Sequence, residues 1–260
     1  MTAPDIELAS LLEKASKRIS KDIEHGAIAF SGGLDSSVVA ALLKDKCRVA
    51  LYTAGVDGAH DLVAAEDAAA VLGMRANKIH ATMRDIEDAV TELVQITGSH
   101  EPLSLSIGLP IYLVAYRCRE TVIFTGQGAD ELFGGYHRYL SLDAKALEAA
   151  LENDLGKLLA IGVGVEKKIA GHFGKEIRYL FLDEMVRQYA MSLPLKEKVD
   201  TGERKIILRK AAVLLGLPES IARSRKKAAQ YSSGVTKAMR KIANGRGMTV
   251  REWVDSFPTR

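Results

Sequence analysis

Apolar residues in the first half of the chain alternate between short continuous runs and longer stretches at helical spacing. Ile6, Leu8, Leu11, Leu12, Ala15 and Ile19 recur near the 3.6-residue period, which predicts an amphipathic helix over 5–24. Four short apolar runs follow, each bounded by turn residues: 27–31, 48–53, 77–82 and 121–125. Runs of this length read as buried strands. Helical patterns separate them. One starts at Leu34. A second spans 62–72, with Asp61 as its cap and Gly73 as its stop. A third runs from Ile86 to about Ile96 with Asp85 as its cap, and a fourth covers 111–118 with Pro110 near its start. Strands and helices in this alternation predict an α/β fold built on a doubly wound parallel sheet.

From about residue 140 the pattern changes. No strand run stands out, and 140–161, 177–193 and 205–215 all read as helices, with Pro194 and Pro218 as breakers. The expected organisation is an α/β core over 1–139 followed by a helical subdomain over 140–260.

Composition adds little to this and removes several classes. The 260 residues are 47% hydrophobic and 27% charged, ordinary for a soluble globular protein. A net charge of +3 gives no whole-chain case for nucleic acid or an anionic membrane. The first seven residues carry acids and no apolar core, unlike a signal peptide, and no apolar run is long enough for a bilayer. Cys47 and Cys118 show no metal-ligand spacing, nor do the six histidines. Two reduced thiols in a cytoplasmic protein are expected.

Two stretches carry chemistry. The first is Ser31-Gly-Gly-Leu-Asp-Ser-Ser37, a Gly loop between a strand and a helix start. Backbone N–H groups and the positive end of the helix dipole meet there, which suits an anion. Ser31, Ser36 and Ser37 add hydroxyl donors. Asp35 places a carboxylate where a phosphate would sit, which makes sense only with a bridging cation. The second is Thr125-Gly-Gln-Gly-Ala-Asp-Glu-Leu-Phe-Gly-Gly-Tyr136, again a strand feeding a Gly loop and then acids. Asp130 and Glu131 either complement a helix dipole, or Asp130 faces Asp35 across a cleft as the second carboxylate on one Mg²⁺.

Two further segments have competing readings. Thr53 to Gly55 closes the second strand, where main-chain groups meet an adenine or simply form a surface loop. Residues 221–251 carry Arg223, Arg225, Lys226, Lys227, Lys237, Arg240, Lys241, Arg246 and Arg251 and no acid. A lysine loop over ATP phosphates is one use of this charge, and RNA backbone contact is the other.

Taken together with Phe181-Leu-Asp183, the two strings resemble the synthetase domain of asparagine synthetases, within the N-type ATP pyrophosphatases (adenine nucleotide α-hydrolase-like). Asp61 to Ala65, Leu109 to Tyr112 and Ile207 to Arg209 are lesser echoes. The resemblance covers nearly the whole chain, in order. It implies ATP and Mg²⁺ as cofactors and a two-step amidation. A carboxylate attacks the α-phosphate, giving an acyl-adenylate and pyrophosphate; ammonia then displaces AMP. Carried over by the resemblance, Asp35 and Asp130 hold the metal. Ser31, Gly32, Gly33, Ser36 and Ser37 cradle pyrophosphate. Apart from the resemblance, Thr53, read from its strand end, and Gly126 are expected at the nucleotide. The family's phosphate lysine precedes an element matched here by Tyr231-Ser-Ser-Gly234; Lys227 fits best, and Lys226 remains open.

Three departures accompany the resemblance. The chain opens Met1-Thr2, without the family's N-terminal cysteine nucleophile, so free ammonia or a separate glutaminase subunit is the expected nitrogen source. Gln127 stands where the family has a Glu that handles protons, and Gln accepts none at neutral pH; Glu131 and Glu176 are candidates in its place. Ser104 to Pro110 departs from the family's substrate segment, leaving aspartate or an analogue as the carboxylate. A homo-oligomer is expected, with no membrane or nucleic-acid partner. The alternatives are a tRNA-modifying enzyme with its basic segment on RNA, and a non-catalytic nucleotide-binding subunit in which Gln127 marks lost chemistry.

Overall fold

In the computed structural model, which describes residues 3–224 and 232–258, five parallel strands form one sheet in the order β3-β2-β1-β4-β5. The strands are β1 (His25–Ala29), β2 (Arg48–Val56), β3 (Ala76–Ala81), β4 (Val122–Thr125) and β5 (Glu176–Tyr179). Central β1 pairs with β2 on one side (Ala27 opposite Ala50) and β4 on the other (Ala27 opposite Ile123). Successive side chains feed opposite layers, as the two-residue strand period requires. Ile28, Leu51 and Phe124 pack into one core with Leu8, Leu12, Val38, Phe133, Phe181 and Ile207. Ala27, Ile123 and Ile177 pack into the other with Ile86, Leu93, Leu109, Ile169 and Trp253. Helices cover both faces, which is why the strands read as continuous apolar runs.

The first layer holds α1 (Pro4–Ile19) and α2 (Leu34–Leu43), with α3 (His60–Val71) alongside. Asp61 lies inside the first turn of α3, whose N-cap is Ala59, so it complements the dipole rather than capping. The opposite layer starts with α4 (Met83–Thr97). Its cap is Thr82, and Asp85 closes a reciprocal capping box with it. The next helix, α5, spans Pro102–Arg117. The helix expected over 111–118 therefore starts earlier, at Pro102, with Pro110 inside it rather than near its start. Burial of Leu105, Leu109 and Ile111 to Val114 outweighs the missing N–H.

The second half corrects a larger expectation. Residues 177–193 are not one helix. Glu176 to Tyr179 form β5, the edge strand beside β4, and α9 begins only at Glu184 (Glu184–Ser192). An outline division at residue 139 leaves β5 on its far side. Arg178 fixes this edge, donating to the Ile19 carbonyl at 2.8 Å and pairing with Glu176 at 2.7 Å. Asp183 caps α9 and holds Arg18 of α1 at 2.6 Å.

Between the sheet and β5, α6 (Ala129–Phe133) leads to α7 (Ala144–Lys157). A π-helical turn, Leu158–Gly162, joins α7 to α8 (Val163–His172) without a break. After α9 come α10 (Leu195–Lys198), a two-residue hairpin pair β6 (Val199–Asp200) and β7 (Glu203–Arg204), and α11 (Ile206–Leu214). The chain closes through α12 (Glu219–Ala222), α13 (Val235–Gly245) and α14 (Val250–Asp255). Both cysteines are free thiols, raised by burial and so unreactive. Among the described residues no helix is long and apolar enough to cross a membrane.

Candidate active site

The strand order runs outward from β1 to β3 on one side and from β4 to β5 on the other. The carboxyl ends of neighbouring β1 and β4 therefore flank the point where the winding reverses, the place where open α/β sheets bind ligands. The two Gly loops leave from these two strand ends. Between them lies a cleft of about 280 Å³.

On the β1 side the loop is held by its own hydroxyls. The Ser31 N–H donates to Ser36 Oγ at 3.3 Å, and Ser36 Oγ donates to the Gly33 carbonyl at 3.2 Å. Gly33 is the N-cap of α2. Gly32 has φ of +73°, and a Cβ there would stand 2.3 Å from the Ala64 carbonyl oxygen. Only glycine fits both demands. Ser31, Asp35 and Ser36 line the cleft, while Ser37 is wholly buried behind them.

On the β4 side Thr125, Gly126, Gln127 and Asp130 line the cleft. Gly126 backs directly onto the α2 start, where a Cβ would lie 2.9 Å from that of Asp35. The two loops are thus in contact, and they bring Asp35 and Asp130 to one point. That point is filled by Lys205, whose Nζ lies 2.5 Å from Asp35 Oδ1 and 2.6 Å from Asp130 Oδ1. Lys205 is 3% exposed and precedes α11 with φ of 58° and ψ of 34°. This left-handed backbone costs a non-glycine residue about 1 kcal/mol, which the paired carboxylates offset. Gly135 makes room: a Cβ there would meet Asp130 Oδ1 at 1.8 Å and Lys205 Cε at 2.2 Å.

The remaining predicted residues divide. Thr53 is 3% exposed and lines the cleft. It lies within a strand rather than at its end, because β2 continues to Val56 along β3. Pairing with β1 stops at Tyr52, so β2 projects past its neighbour toward the cleft. Glu131 is buried and accepts from the Tyr136 hydroxyl at 2.5 Å; it does not line the cleft. Glu176 is at the sheet edge, tied to Arg178. Lys226 and Lys227 lie outside the described residues. The residues on either side of them are anchored: the Ser224 carbonyl accepts from Arg209 at 3.2 Å, and the Ser233 carbonyl accepts from the Val56 N–H at 3.0 Å.

Sequence reasoning missed two residues. Lys205 stands two residues before the Ile207 to Arg209 string, which marked the segment without marking the lysine. Glu166, in the first turn of α8, also lines the cleft. Burial pushes its carboxyl up to about 7; the Tyr179 hydroxyl pulls it back and the Glu131 charge pushes it further up. Its Oε2 and the Tyr179 hydroxyl are both buried without a well-formed hydrogen bond.

The donor set fits Mg²⁺. Two carboxylates from separate loops converge on one positive charge, and Mg²⁺ takes one or two carboxylates together with phosphate oxygens and water. Among the described residues there is no cluster of three or more candidate metal ligands, so phosphate oxygens and water are needed to complete its shell.

Comparison with known proteins agrees with this geometry. The asparagine synthase family model matches residues 7–159 and 142–252. The chain belongs to the asparagine synthase family. It is 30% identical to a putative glutamine-hydrolysing asparagine synthetase 1 of Methanocaldococcus jannaschii, over 95% of this chain and 53% of the relative. It is 27% identical to asparagine synthetase B of Escherichia coli, over 88% of this chain and 45% of the relative. A mouse asparagine synthetase domain-containing protein 1 is 41% identical over 47% of this chain and 21% of its own length. The chain thus spans about half the length of the first two of these relatives.

Proposed function

We propose that this member of the asparagine synthase family is an ATP-dependent amide ligase that releases AMP and pyrophosphate. The convergence of Asp35 and Asp130 across the cleft carries the reading. Ser31, Gly32, Gly33 and Ser36 form the pyrophosphate cradle, with Ser37 buried behind it, and Thr53 with Gly126 meets the nucleotide. Asp35 and Asp130 would hold Mg²⁺, which would supply charge neutralisation at the phosphates. Lys205, which pairs with both carboxylates here, would keep its positive charge beside that site, and Lys227, or Lys226, supplies a second from the basic segment. A substrate carboxylate, from aspartate or an analogue, attacks the α-phosphorus and expels pyrophosphate. Ammonia, free or delivered by a separate glutaminase subunit, then displaces AMP. No protein nucleophile is needed; orientation and charge lower the barrier.

The test is a pyrophosphate-release assay across a panel of carboxylates, with and without ammonia. Release that depends on a carboxylate, with amide appearing only when ammonia is added, is the expected result. Absence of carboxylate-dependent release across the panel would overturn the ligase reading.

A further inference from the structure

Amide formation from ammonia leaves a proton to be removed, and Gln127 cannot take it. The acids near the cleft are not equivalent. Asp35 and Asp130 are both paired with Lys205. Glu131 accepts from Tyr136 and stays off the cleft surface. Glu176 is turned to Arg178 at the sheet edge. Asp61 stands beside His60 in the first turn of α3. Glu166 differs from all of these. It lines the same cleft as Gln127, and its buried Oε2 makes no well-formed hydrogen bond, with the Tyr179 hydroxyl the one side-chain hydrogen-bonding group that acts on the carboxyl. It follows the π-helical turn Leu158–Gly162, an irregularity that helices tend to place at functional positions. Tyr179, at the carboxyl end of β5, adds a second buried and unsatisfied hydroxyl that acts on it. A buried polar pair left open in this way calls for a reason, and one open to a cleft has an obvious one: a ligand atom completes it.

We propose that Glu166, positioned by Tyr179, is the proton acceptor for the incoming amine, in place of the Glu that Gln127 replaces. This rests on the amide-ligase reading. The ammonia nitrogen attacks the acyl carbon, and the carbonyl π pair moves to oxygen. One N–H proton passes to the Glu166 carboxylate. The oxygen pair then returns, the carbon–oxygen bond to phosphate breaks, and AMP leaves with its electrons. Acyl-adenylate and ammonia become amide, AMP and one proton on Glu166. A carboxyl held near 7 suits this transfer at neutral pH. The groups acting on Glu166 are Tyr179 from β5 and Glu131 from α6.

The experiment measures amide formed per pyrophosphate released, as a function of pH, in the full chain. Glu166→Gln is expected to lower that ratio about 100-fold or more, the usual size of a general-base effect. Tyr179→Phe removes a hydroxyl that favours the ionised carboxyl, so the acid limb of amide formation moves to higher pH. The double variant Gln127→Glu with Glu166→Gln is expected to recover amide formation. If Glu166→Gln keeps the wild-type ratio, or Tyr179→Phe leaves the pH profile in place, the assignment of Glu166 is overturned and the ligase reading stands. If the wild-type chain releases no pyrophosphate with any carboxylate, the ligase reading falls and this inference with it.

Discussion

Lys205 lies between Asp35 and Asp130, 2.5 Å from one carboxylate and 2.6 Å from the other. All three side chains are largely buried. Without the ammonium, two carboxylates would face each other in a poorly solvated cleft. Lys205→Met is expected to lose about 3 kcal/mol in metal-free buffer, as buried pairs do when one partner goes. Millimolar Mg²⁺ should return part of that loss. Thermal melts with and without Mg²⁺ check it: the variant gains more from the metal than the wild type does.

Asp35→Asn keeps shape and hydrogen bonding but removes a full charge from the cation site. Pyrophosphate release is expected to fall at least about 100-fold, since charge stabilisation of this kind contributes several kcal/mol. Asp130→Asn should do the same. Unchanged release in either variant would remove that residue from the metal assignment.

Gly135→Ala and Gly245→Ala separate site geometry from general stability. The first pushes a methyl into Asp130 and Lys205. Its expected effect is a loss of about tenfold or more in pyrophosphate release, equal to about 1.4 kcal/mol of displaced charge geometry. The second places a methyl in open space near the end of α13, where alanine stabilises a helix by about 0.5 kcal/mol. Activity and urea midpoints measured side by side distinguish the two.

Glu166 makes stability depend on pH in an unusual direction. Its carboxyl is raised from 4.5 to about 7 in the folded chain. Between those values the folded state binds more protons than the unfolded state, so stability falls as pH rises through the window and levels off above it. The full span corresponds to about 3 kcal/mol. Glu166→Gln lacks this loss. The variant is therefore expected to match or trail the wild type at pH 5 and to exceed it at pH 8. Urea denaturation at both values gives the comparison.

Much of the site was legible because its chemistry is local. Ser31 to Ser37 and Thr125 to Tyr136 each contain a strand end, a glycine turn and the acids that follow, so short strings specify both backbone and charge. Lys205 and Glu166 were not legible, because neither gains a role until the chain has folded. Lys205 sits in an exposed-looking basic run beside Arg204, and Glu166 precedes Lys167 and Lys168 on what reads as a solvated helix face. β5 was missed for a related reason. Glu176, Ile177, Arg178 and Tyr179 are too few to show alternation, and Ile177 alone is fully buried. Pairing with β4 makes them a strand, and that partner lies about fifty residues earlier in the register Ile123 to Ile177.

The ion triad also bears on how the chain becomes competent. Asp35 and Lys205 are 170 residues apart in sequence. The first comes from the start of α2, just after the opening strand, and the second from the threshold of α11, after the sheet is complete. A nascent chain that has made β1, β4 and both glycine turns still lacks its internal counter-ion. The cleft is thus among the last features to gain its internal cation, and a polypeptide stopped short of Lys205 would present two facing carboxylates instead of a finished pocket.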